Sequence, residues 1–394
     1  MRDRDQLAEL TRNAVHVLPE GELERKLAVG RPLRVKLGID VTAPEIHVGH
    51  AIPLQRMAAF QRAGHVGVLI IGDYTTRIGD PSGRSAERRV LSDEEIDRNG
   101  KTYLEQAAQI IDTDPSRLEV RNNGEWLSRL DFAAVVRLTR TITVARLLER
   151  DDFAKRFAEQ APISVSELLY PLMQAYDSVA IEADVELGGT DQLYNLLAGR
   201  EVMQAYGLEP QVALTLPLLL GPDGRKMSAS LGNYIGLRSL PDEQFGRTMR
   251  ISDDLLPDYY RLVMESDEDP LAGDPMEAKL RLARFIVARS HGKEAASAAE
   301  EYFTRVVREG HVPDEVDSVV VEAKNGTVHL PTVLVEHFGV GSTSEARRLI
   351  SQGGVKLNGE PIFELDLPAS QLDHTLVQAG KRRFAYLSAR DLPM

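Results

Sequence analysis

The run Val66-Gly-Val-Leu-Ile-Ile71 narrows the possible folds of this chain more than any other segment. An almost uninterrupted apolar segment of this length is expected in a parallel sheet that is buried on both faces. A second strand-like segment, residues 33–39, precedes it, and a helix is predicted between them at about 50–63. Strand, loop, helix and strand within about forty residues make a βαβ unit with a right-handed crossover. The sequence therefore predicts an α/β fold with a doubly wound parallel sheet, the architecture of many nucleotide-binding domains.

The rest of the chain predicts further regions around this sheet. Two more strands are predicted within residues 179–187 and 211–220, and helices dominate between about 90 and 180. A polar stretch near residue 310 contains glycine, proline and an Asn-Gly pair, which is typical of a linker. The predicted regions are an N-terminal helical segment, 1–30, with an amphipathic helix at 4–29; a Rossmann-like domain, 31–237, with a helical insertion at about 95–180; a helical domain, 238–308; the linker, 309–327; and a small α+β domain, 328–394.

Composition excludes several functional classes. The 394 residues include no cysteine, which excludes disulfides, thiolate catalysis and cysteine-ligated zinc. The chain has no run of about 18 apolar residues, and its charged N-terminus has no apolar core behind it, so we expect a cytoplasmic protein without a membrane segment. The net charge of −13 argues against nonspecific wrapping of nucleic acid but leaves room for a local basic face.

The segment from Gly38 to His50, Gly-Ile-Asp-Val-Thr-Ala-Pro-Glu-Ile-His-Val-Gly-His, is the first that carries chemistry. It leaves the first predicted strand and enters a helix, where an open α/β sheet binds its nucleotide and backbone N–H groups attract phosphate. His47 and His50 can face the same phosphates, and Gly49 lets a flat ring approach closely. A surface turn with two incidental histidines is the alternative. Thr42 and the strand-loop-helix context favour the nucleotide interpretation.

A glycine-rich loop at residues 218–230 is the second such segment. It reads Leu-Leu-Leu-Gly-Pro-Asp-Gly-Arg-Lys-Met-Ser-Ala-Ser and carries Lys226, Ser228 and Ser230. A lysine on a mobile loop can follow a phosphate leaving group as its charge develops. An ordinary solvated basic loop is the alternative, and the position of this loop about 180 residues after the histidines makes the functional interpretation more specific.

Three polar side chains share one face of a predicted helix, namely Tyr170, Gln174 and Asp177. An apolar face would belong to the core, whereas a phenol, an amide and a carboxylate need polar partners. This combination suits a zwitterionic amino acid that carries a hydroxyl group. Asp80 lies in a tight Gly-Asp-Pro-Ser-Gly turn and can accept a hydrogen bond from the ammonium group of such a ligand, although an ordinary turn aspartate is the alternative.

Taken together, these motifs resemble the two signatures of class I aminoacyl-tRNA synthetases, HIGH and KMSKS, here His47-Val-Gly-His50 and Lys226-Met-Ser-Ala-Ser230. Three further motifs resemble bacterial tyrosyl-tRNA synthetases in order and spacing: Gly79-Asp-Pro-Ser-Gly83, Tyr170-Pro-Leu-Met-Gln-Ala-Tyr-Asp177 and Gly188-Gly-Thr-Asp-Gln192. The resemblance covers essentially the whole chain. It implies ATP-dependent activation of L-tyrosine to tyrosyl-adenylate with release of pyrophosphate, then transfer to the 3′ end of tRNA(Tyr). It also implies Mg²⁺ with the ATP, and a homodimer whose interface comes from the insertion around Phe132.

The resemblance further implies a role for each matching residue. Tyrosine binding is implied for Asp40, Asp80, Tyr170, Gln174, Asp177 and Gln192, with Asp177 on the substrate hydroxyl and Gln192 on its carboxylate. ATP binding is implied for Gly38, His47, Gly49, His50, Gly189, Asp191, Lys226, Met227, Ser228, Ala229 and Ser230. Catalysis, through stabilisation of the reacting phosphates, is implied for Thr42, His47, His50, Lys226 and Ser230, and no residue is implied as a metal ligand.

Two positions depart from the family pattern. Many members have a tyrosine that contacts the substrate hydroxyl where this chain has Lys36, so hydroxyl recognition should depend more on Asp177. The second lysine of KMSKS is Ala229 here, which leaves Lys226, or an arginine such as Arg225 or Arg84, to stabilise pyrophosphate. The remaining polar groups still predict an active enzyme.

The last region carries a predicted nucleic-acid surface. Residues 343–360 predict a capped helix, a glycine stop and a short hairpin with Asn358-Gly359 as its turn. This segment resembles the small RNA-binding domain of a ribosomal protein of the small subunit, in which shape and phosphate contacts dominate binding. The tRNA-binding residues implied are Arg347, Arg348, Lys356 and Lys381.

Three alternative functions are compatible with parts of the sequence. A tryptophanyl-tRNA synthetase shares the fold and both signatures, but Tyr170, Gln174 and Asp177 on one face favour tyrosine, and tryptophan enzymes lack the terminal RNA-binding domain. An adenylyltransferase with a His-x-Gly-His loop is usually a single small domain, so the Lys226 loop and the RNA-binding tail argue against this alternative. A catalytically silent RNA-binding paralogue is supported by Ala229 alone.

Overall fold

The structure of this chain is a computed structural model, which describes residues 2–79, 91–227, 232–308, 316–380 and 383–391. Two compact units make up the chain, Met1–Gly292 and Lys293–Met394. Each unit has a buried apolar core of its own. Among the described residues, no helix is both long enough and apolar enough to cross a membrane.

A six-stranded sheet forms the centre of the first unit. Its strands are β1 (His16–Leu18), β2 (Arg34–Ile39), β3 (Val66–Ile71), β4 (Leu118–Asn122), β5 (Val185–Gly189) and β6 (Val212–Leu216). Their order across the sheet is β1-β6-β5-β2-β3-β4. Strands β2 to β6 run parallel to their neighbours, and β1 pairs antiparallel with β6 at one edge. The predicted α/β fold with a parallel sheet is confirmed, including the strands expected at 33–39 and 66–71.

The order of the strands reverses beside β2. From β2 the chain adds β3 and β4 on one side of the sheet, and later β5 and β6 on the other side. In an open α/β sheet, ligands bind in the crevice at the carboxyl ends of the strands next to such a reversal. The carboxyl ends of β2 and β5 therefore position the candidate site.

Helices cover this sheet and extend the core beyond it. In chain order they are α1 (Arg2–Leu10), α2 (Glu22–Ala28), α3 (Val48–Arg62), α4 (Asp93–Ala107), α5 (Gly124–Leu127), α6 (Phe132–Thr139), α7 (Val144–Leu147), α8 (Asp151–Ala158), α9 (Val165–Ala180), α10 (Leu193–Ala205), α11 (Pro241–Thr248), α12 (Leu256–Leu262) and α13 (Pro275–His291). Leu37 and Leu187 of the central strands are buried in the same apolar cluster as Tyr259 of α12 and Ile286 of α13. The helices after the sheet are thus part of the first unit's core.

Three boundaries in the first unit differ from the sequence-based expectations. Residues 4–29 do not form one helix, because α1 ends at Leu10 and the following segment pairs as β1 with the edge of β6. The predicted insertion contains the strand β4, because its backbone groups find hydrogen-bond partners along β3. The helical domain expected at 238–308 is not separate, because α11 to α13 belong to the first unit and the unit ends at Gly292. Strand pairing overrides local helix propensity at the first two of these places, and burial in a shared core decides the third.

The second unit combines a five-stranded sheet with short helices. Its helices are α14 (Lys293–Tyr302), followed by a π-helical turn (Phe303–Arg308), α15 (Leu330–Phe338) and α16 (Thr343–Ser351). Its strands are β7 (Asp317–Ala323), β8 (Thr327–His329), β9 (Val355–Leu357), β10 (Glu360–Pro361), β11 (Asp366–Pro368), β12 (Thr375–Ala379) and β13 (Arg383–Asp391). The sheet has the order β10-β9-β12-β13-β7, and β11 pairs separately with β8. The linker expected at 309–327 is wrong for residues 317–323, because β7 pairs in parallel with β13 and completes the sheet.

The predicted helix and hairpin of the second unit are confirmed. Ser342 caps α16 by accepting a hydrogen bond from the backbone of Glu345. After the helix the chain forms the hairpin of β9 and β10, whose turn residues Asn358 and Gly359 have φ angles of 48° and 92°. Positive φ at both positions is what a tight hairpin turn of this type requires, so the Asn-Gly pair fits it.

Candidate active site

The two histidines lie where the chain leaves β2 and enters α3. His47 is the residue before the helix, and its backbone N–H donates to Nδ1 of His50 at 3.2 Å. The two ring centroids are 3.9 Å apart. A Cβ atom on Gly49 would lie 3.0 Å from Nδ1 of His47, so a glycine between the histidines permits this close packing.

Both histidine rings are neutral at neutral pH. Burial lowers the pKa of His47 to about 2, with further lowering by His50 and Lys226. Burial likewise lowers the pKa of His50 to about 4, with a contribution from Lys226. Because Nδ1 of His50 accepts a hydrogen bond, its neutral ring carries the proton on Nε2. The pair therefore offers hydrogen bonds to phosphate oxygens and not positive charges.

The glycine-rich loop meets the end of β5. Lys226 Nζ donates to Oδ2 of Asp191 at 2.8 Å, and Asp191 lies in the short 3-10 turn that follows β5. A Cβ atom on Gly189 would lie 2.6 Å from Oδ1 of Asp191, so this turn also depends on a glycine. Met227 is buried beside the start of α3, since its sulfur is 3.7 Å from where a Cβ of Gly49 would lie. The two signatures predicted from the sequence thus come together at the strand reversal.

The end of β2 is open above its backbone. Gly38 is the second-last residue of β2, just before the loop. A Cβ atom there would meet no heavy atom within 4 Å. Thr42 is exposed in the following loop. Four predicted site residues, Asp80, Ser228, Ala229 and Ser230, lie outside the described residues.

Helix α9 presents its predicted polar face to the ends of β2 and β3. The hydroxyl of Tyr170 donates to Oδ2 of Asp40 at 3.0 Å. The hydroxyl of Thr75 donates to Oδ1 of the same carboxylate at 2.8 Å. Asp40, which follows β2, is therefore held by two neutral donors at the edge of the predicted tyrosine pocket.

Asp177 is the buried end of the same helix face. Its carboxylate accepts from Nε1 of Trp126 at 2.8 Å and from Nδ2 of Asn123 at 3.3 Å. Burial raises its pKa to about 7, although the charge of Lys36 and these two donors act in the opposite direction. Asn123 and Trp126 were not identified from the sequence. The single tryptophan of the chain, close to an asparagine, is the only local signal for them.

Lys36 lies in the interior between α9 and β5. Its ammonium donates to the backbone oxygen of Gln174 at 2.8 Å, to Oγ of Ser178 at 2.8 Å and to Oε1 of Glu186 at 3.0 Å. Lys36 is 0% exposed and Glu186 is 1% exposed, so the two form an interior ion pair. Glu186 and Ser178 were not identified from the sequence, although a glutamate in an otherwise apolar strand is a signal for a buried partner.

The predicted tRNA-binding residues lie in the second unit. Arg347 and Arg348 are exposed on α16, and Lys356 is half-buried on β9. Lys381 lies outside the described residues. The basic side chains of α16 and β9 thus belong to one helix and one hairpin of the small domain.

Comparison with known proteins identifies the family. Residues 28–308 match the family described as tRNA synthetases class I (W and Y), and residues 329–362 match the S4 domain. A tyrosine–tRNA ligase of Moorella thermoacetica is 48% identical over 397 residues, which cover 97% of this chain and 95% of that protein. The tyrosine–tRNA ligase of Geobacter sulfurreducens is 48% identical over 399 residues, which cover 98% of each chain.

Similarity to solved structures agrees with the fold. A C-terminally truncated mitochondrial tyrosyl-tRNA synthetase of Aspergillus nidulans superimposes with a TM-score of 0.62 at 24% identity. The superposition covers 76% of this chain and 92% of that one. Similarity at this level of identity concerns the fold, whereas the nearly full-length relatives concern the family. The chain therefore belongs to the tyrosyl-tRNA synthetases, within the class I tRNA synthetases for tryptophan and tyrosine.

Proposed function

We propose that the crevice at the carboxyl ends of β2 and β5 binds L-tyrosine and ATP and is where tyrosyl-adenylate forms. The observation that carries the proposal is the meeting of Lys226 with Asp191, beside the paired histidines at the start of α3. As a tyrosine–tRNA ligase, the enzyme activates tyrosine with ATP, releases pyrophosphate and transfers the tyrosyl group to the 3′ end of tRNA(Tyr). A cytoplasmic location, where that tRNA is used in translation, stays a prediction.

The arrangement suits catalysis by positioning and charge stabilisation. An oxygen of the tyrosine carboxylate attacks the α-phosphorus of ATP, the bond from that phosphorus to the bridging oxygen breaks, and pyrophosphate leaves with the electron pair. No side chain needs to act as a nucleophile. His47, His50 and Thr42 would donate hydrogen bonds to the reacting phosphates. Lys226 would leave Asp191 and follow the pyrophosphate as its charge grows.

The ATP side of the crevice would use its backbone as much as its side chains. Gly38 leaves room for the nucleotide at the end of β2, because a Cβ atom there would meet open space. Gly189 allows the tight turn after β5, because a Cβ atom there would collide with Asp191 and Leu218. Asp191 would then accept from the ribose hydroxyls in place of Lys226. Met227 is buried at the base of the loop and would anchor it, and the loop's serines, Ser228 and Ser230, would contact phosphate.

The tyrosine side of the crevice has a separate polar group for each part of the substrate. Asp177 would accept from the phenolic hydroxyl, at the buried end of the pocket. Tyr170 and Gln174, with Asp80 and Asp40, would surround the ammonium group, and Gln192 would donate to the carboxylate. Hydroxyl recognition rests on Asp177, because Lys36 is turned towards Glu186 beneath the pocket.

Magnesium is proposed to arrive with ATP and to be held mainly by phosphate oxygens and water. Among the described residues, no group of three or more histidine, aspartate or glutamate side chains is arranged to hold a metal ion. Asp191 is the carboxylate nearest to the mobile lysine, and its partner there is Lys226. An Mg²⁺ ion that is bound with a nucleotide usually has few fixed protein ligands.

Replacing Asp177 with alanine is expected to reduce the preference for tyrosine over phenylalanine about tenfold to a hundredfold, the range for a lost hydrogen bond to a charged group. Strong rejection of phenylalanine is already known for tyrosine enzymes of this kind, so the experiment asks which carboxylate supplies it. The ratio of kcat/KM for the two amino acids, measured by pyrophosphate exchange, checks this. Asp184→Asn is the matched control, because Asp184 is a buried aspartate that pairs with Arg31 at the other end of β5. An unchanged ratio in Asp177→Ala would contradict the assignment.

We also propose that the enzyme is a homodimer whose interface includes α6. Phe132, the first residue of α6, is 83% exposed, and Val144 of α7 is 60% exposed. In the proposed dimer these two apolar side chains would belong to the contact surface. Phe132→Asp is therefore expected to weaken the dimer at least about tenfold, as measured by light scattering over a dilution series. Val320→Asp, at a position 60% exposed on β7, is the control that should leave the dimer intact.

A further inference from the structure

A buried asparagine connects the two glutamines of the proposed tyrosine site. Asn195, on α10, is fully buried. Its Nδ2 donates to Oε1 of Gln174 at 3.0 Å and to Oε1 of Gln192 at 2.9 Å. Its Oδ1 accepts from Nη1 of Arg150 at 3.1 Å. One side chain thus contacts both amides through their carbonyl oxygens and a guanidinium group through its own.

The arginine sets the orientation of Asn195. A guanidinium group can only donate hydrogen bonds, so the asparagine must turn its oxygen towards Arg150 and its NH₂ group towards the glutamines. Arg150 is itself held in place, because its side chain is 5% exposed, pairs with Asp152 at 2.8 Å and lies 5.4 Å from the ring centre of Phe153. The donor end of this hydrogen-bond chain is therefore fixed.

Glu186 fixes the acceptor end of this chain of hydrogen bonds. Its Oε1 accepts from Lys36 at 3.0 Å and from Nε2 of Gln174 at 3.1 Å. Its Oε2 accepts from Oγ of Ser178 at 3.0 Å and from Nε2 of Gln211 at 2.8 Å. A carboxylate that faces four donors can only accept, so Gln174 must turn its NH₂ group towards Glu186 and its oxygen towards Asn195.

Because Arg150 can only donate and Glu186 can only accept, the side-chain amides between them can take only one orientation. We propose that Asn195 is a positioning residue that, with Arg150 and Glu186, orients the amides of Gln174 and Gln192 for a zwitterionic amino acid. The oxygen of Gln174 is the end available to the substrate ammonium, which only donates. Gln192 turns its oxygen towards Asn195, so its NH₂ group is the end that would donate to the substrate carboxylate, which only accepts. This inference rests on the proposed roles of the two glutamines in tyrosine binding.

The alternative orientation of either amide would oppose binding. If Gln192 turned over, its oxygen would face the substrate carboxylate, and the carboxylate would lose a donor. Losing a hydrogen bond to a charged partner weakens binding more than losing a hydrogen bond between two neutral groups. Because an isolated amide can turn over at little cost, a fixed partner such as Asn195 prepares the site before tyrosine arrives.

The experiment compares two substitutions that a purely structural role would rank in the opposite order. Asn195→Asp keeps the shape and the contact with Arg150 but removes the donor, so Gln192 must turn its NH₂ group towards the new carboxylate. Its tyrosine KM is expected to rise about tenfold to a hundredfold, while its ATP KM stays within about twofold of the wild type. Asn195→Ala frees the amides without inverting them, and its tyrosine KM is expected to rise less. Both constants come from pyrophosphate exchange with the full-length enzyme.

A second pair of variants serves if Asn195→Asp does not fold. Arg150→Lys keeps a donor-only cation facing Asn195 and is expected to retain a tyrosine KM near that of the wild type. Arg150→Gln can present either end of its amide, so it no longer sets the orientation, and its tyrosine KM is expected to rise. Gln61→Glu is the matched control, because Gln61 is a buried amide on α3 that bonds to the backbone of Asp112 and Arg117, away from this chain of hydrogen bonds.

The possible outcomes separate the inference from the site on which it rests. If Gln192→Ala raises the tyrosine KM but Asn195→Asp raises it no more than Asn195→Ala, the positioning role is overturned and the site stands. Equal tyrosine KM values for Arg150→Lys and Arg150→Gln would overturn it as well. If Gln192→Ala leaves the tyrosine KM unchanged, the proposed tyrosine site falls, and the positioning role falls with it.

Discussion

Replacing Lys226 with alanine is expected to slow tyrosyl-adenylate formation about a hundredfold to a thousandfold, the range for losing one group that stabilises developing charge. The side chain is 58% exposed and its ammonium is held by Asp191 alone among the contacts described, at 2.8 Å. It can therefore exchange that partner for the leaving pyrophosphate as the reaction proceeds. An interaction made mainly in the transition state lowers kcat when it is lost and leaves the KM for tyrosine nearly unchanged.

Rapid-quench measurement of adenylate formation at saturating substrates checks this expectation. Arg225→Ala is the matched control, because Arg225 is the neighbouring cation and its side chain pairs with Asp223 at 2.7 Å. A change of less than about threefold is expected for the control. If Arg225→Ala slows the reaction as much as Lys226→Ala, the arginine supplies the charge that Ala229 does not. A Lys226→Ala enzyme with normal kcat and a raised tyrosine KM would contradict the proposed role.

Removing residues 309–394 is expected to leave adenylate formation within about twofold of the full-length enzyme and to lower kcat/KM for tRNA charging about a thousandfold. The described residues proposed for adenylate formation all lie in the first unit, which has its own core. The basic side chains of α16 and β9 are lost with the small domain. Three hydrogen bonds from cations to phosphate, at about tenfold each, account for the expected size of the effect.

Pyrophosphate exchange and tRNA charging, measured on the same preparation, check this separation of functions. The cut must precede β7, because a deletion starting at Thr327 would leave that strand without β13 and would expose Val321, which is 3% exposed in the intact sheet. The full-length variant with Arg347, Arg348 and Lys356 changed to glutamine is the matched control. It should lose charging with a weaker dependence on salt, because fewer phosphate contacts remain. Loss of pyrophosphate exchange in a folded truncated enzyme would show that the two functions are not separable.

Much of the fold could be predicted because its pattern is local. Strand β3 is buried on both faces and therefore appears in the sequence as an apolar run. The hairpin of β9 and β10 follows from an Asn-Gly pair that tolerates positive φ. Strands β1 and β4 were not predicted, since β1 has three residues and β4 alternates buried and exposed positions at the sheet edge. Such strands form because a neighbouring strand offers hydrogen-bond partners, which a local pattern does not record.

The residues of the candidate site likewise fall into those that local sequence patterns predicted and those that they did not. His47, His50 and Lys226 were found from their motifs, because each motif is a short segment whose backbone shape depends on nearby glycines. Tyr170, Gln174 and Asp177 were placed on one helix face by helical spacing, and α9 presents them as expected. Asn123, Trp126 and Asn195 were missed, since each acts through a residue that is distant in the sequence.

Lys36 shows most clearly what local sequence cannot determine. The sequence places a lysine within β2 and a glutamate in the otherwise apolar β5. Parallel pairing of the two strands sets Lys36 directly opposite Glu186, where they form an ion pair beneath the tyrosine pocket. A buried charge is tolerated only where a partner and further hydrogen bonds are within reach. That condition is met by the register of strands that are about 150 residues apart in the chain. The sequence by itself therefore supplies the lysine and the glutamate, and only long-range packing brings them together.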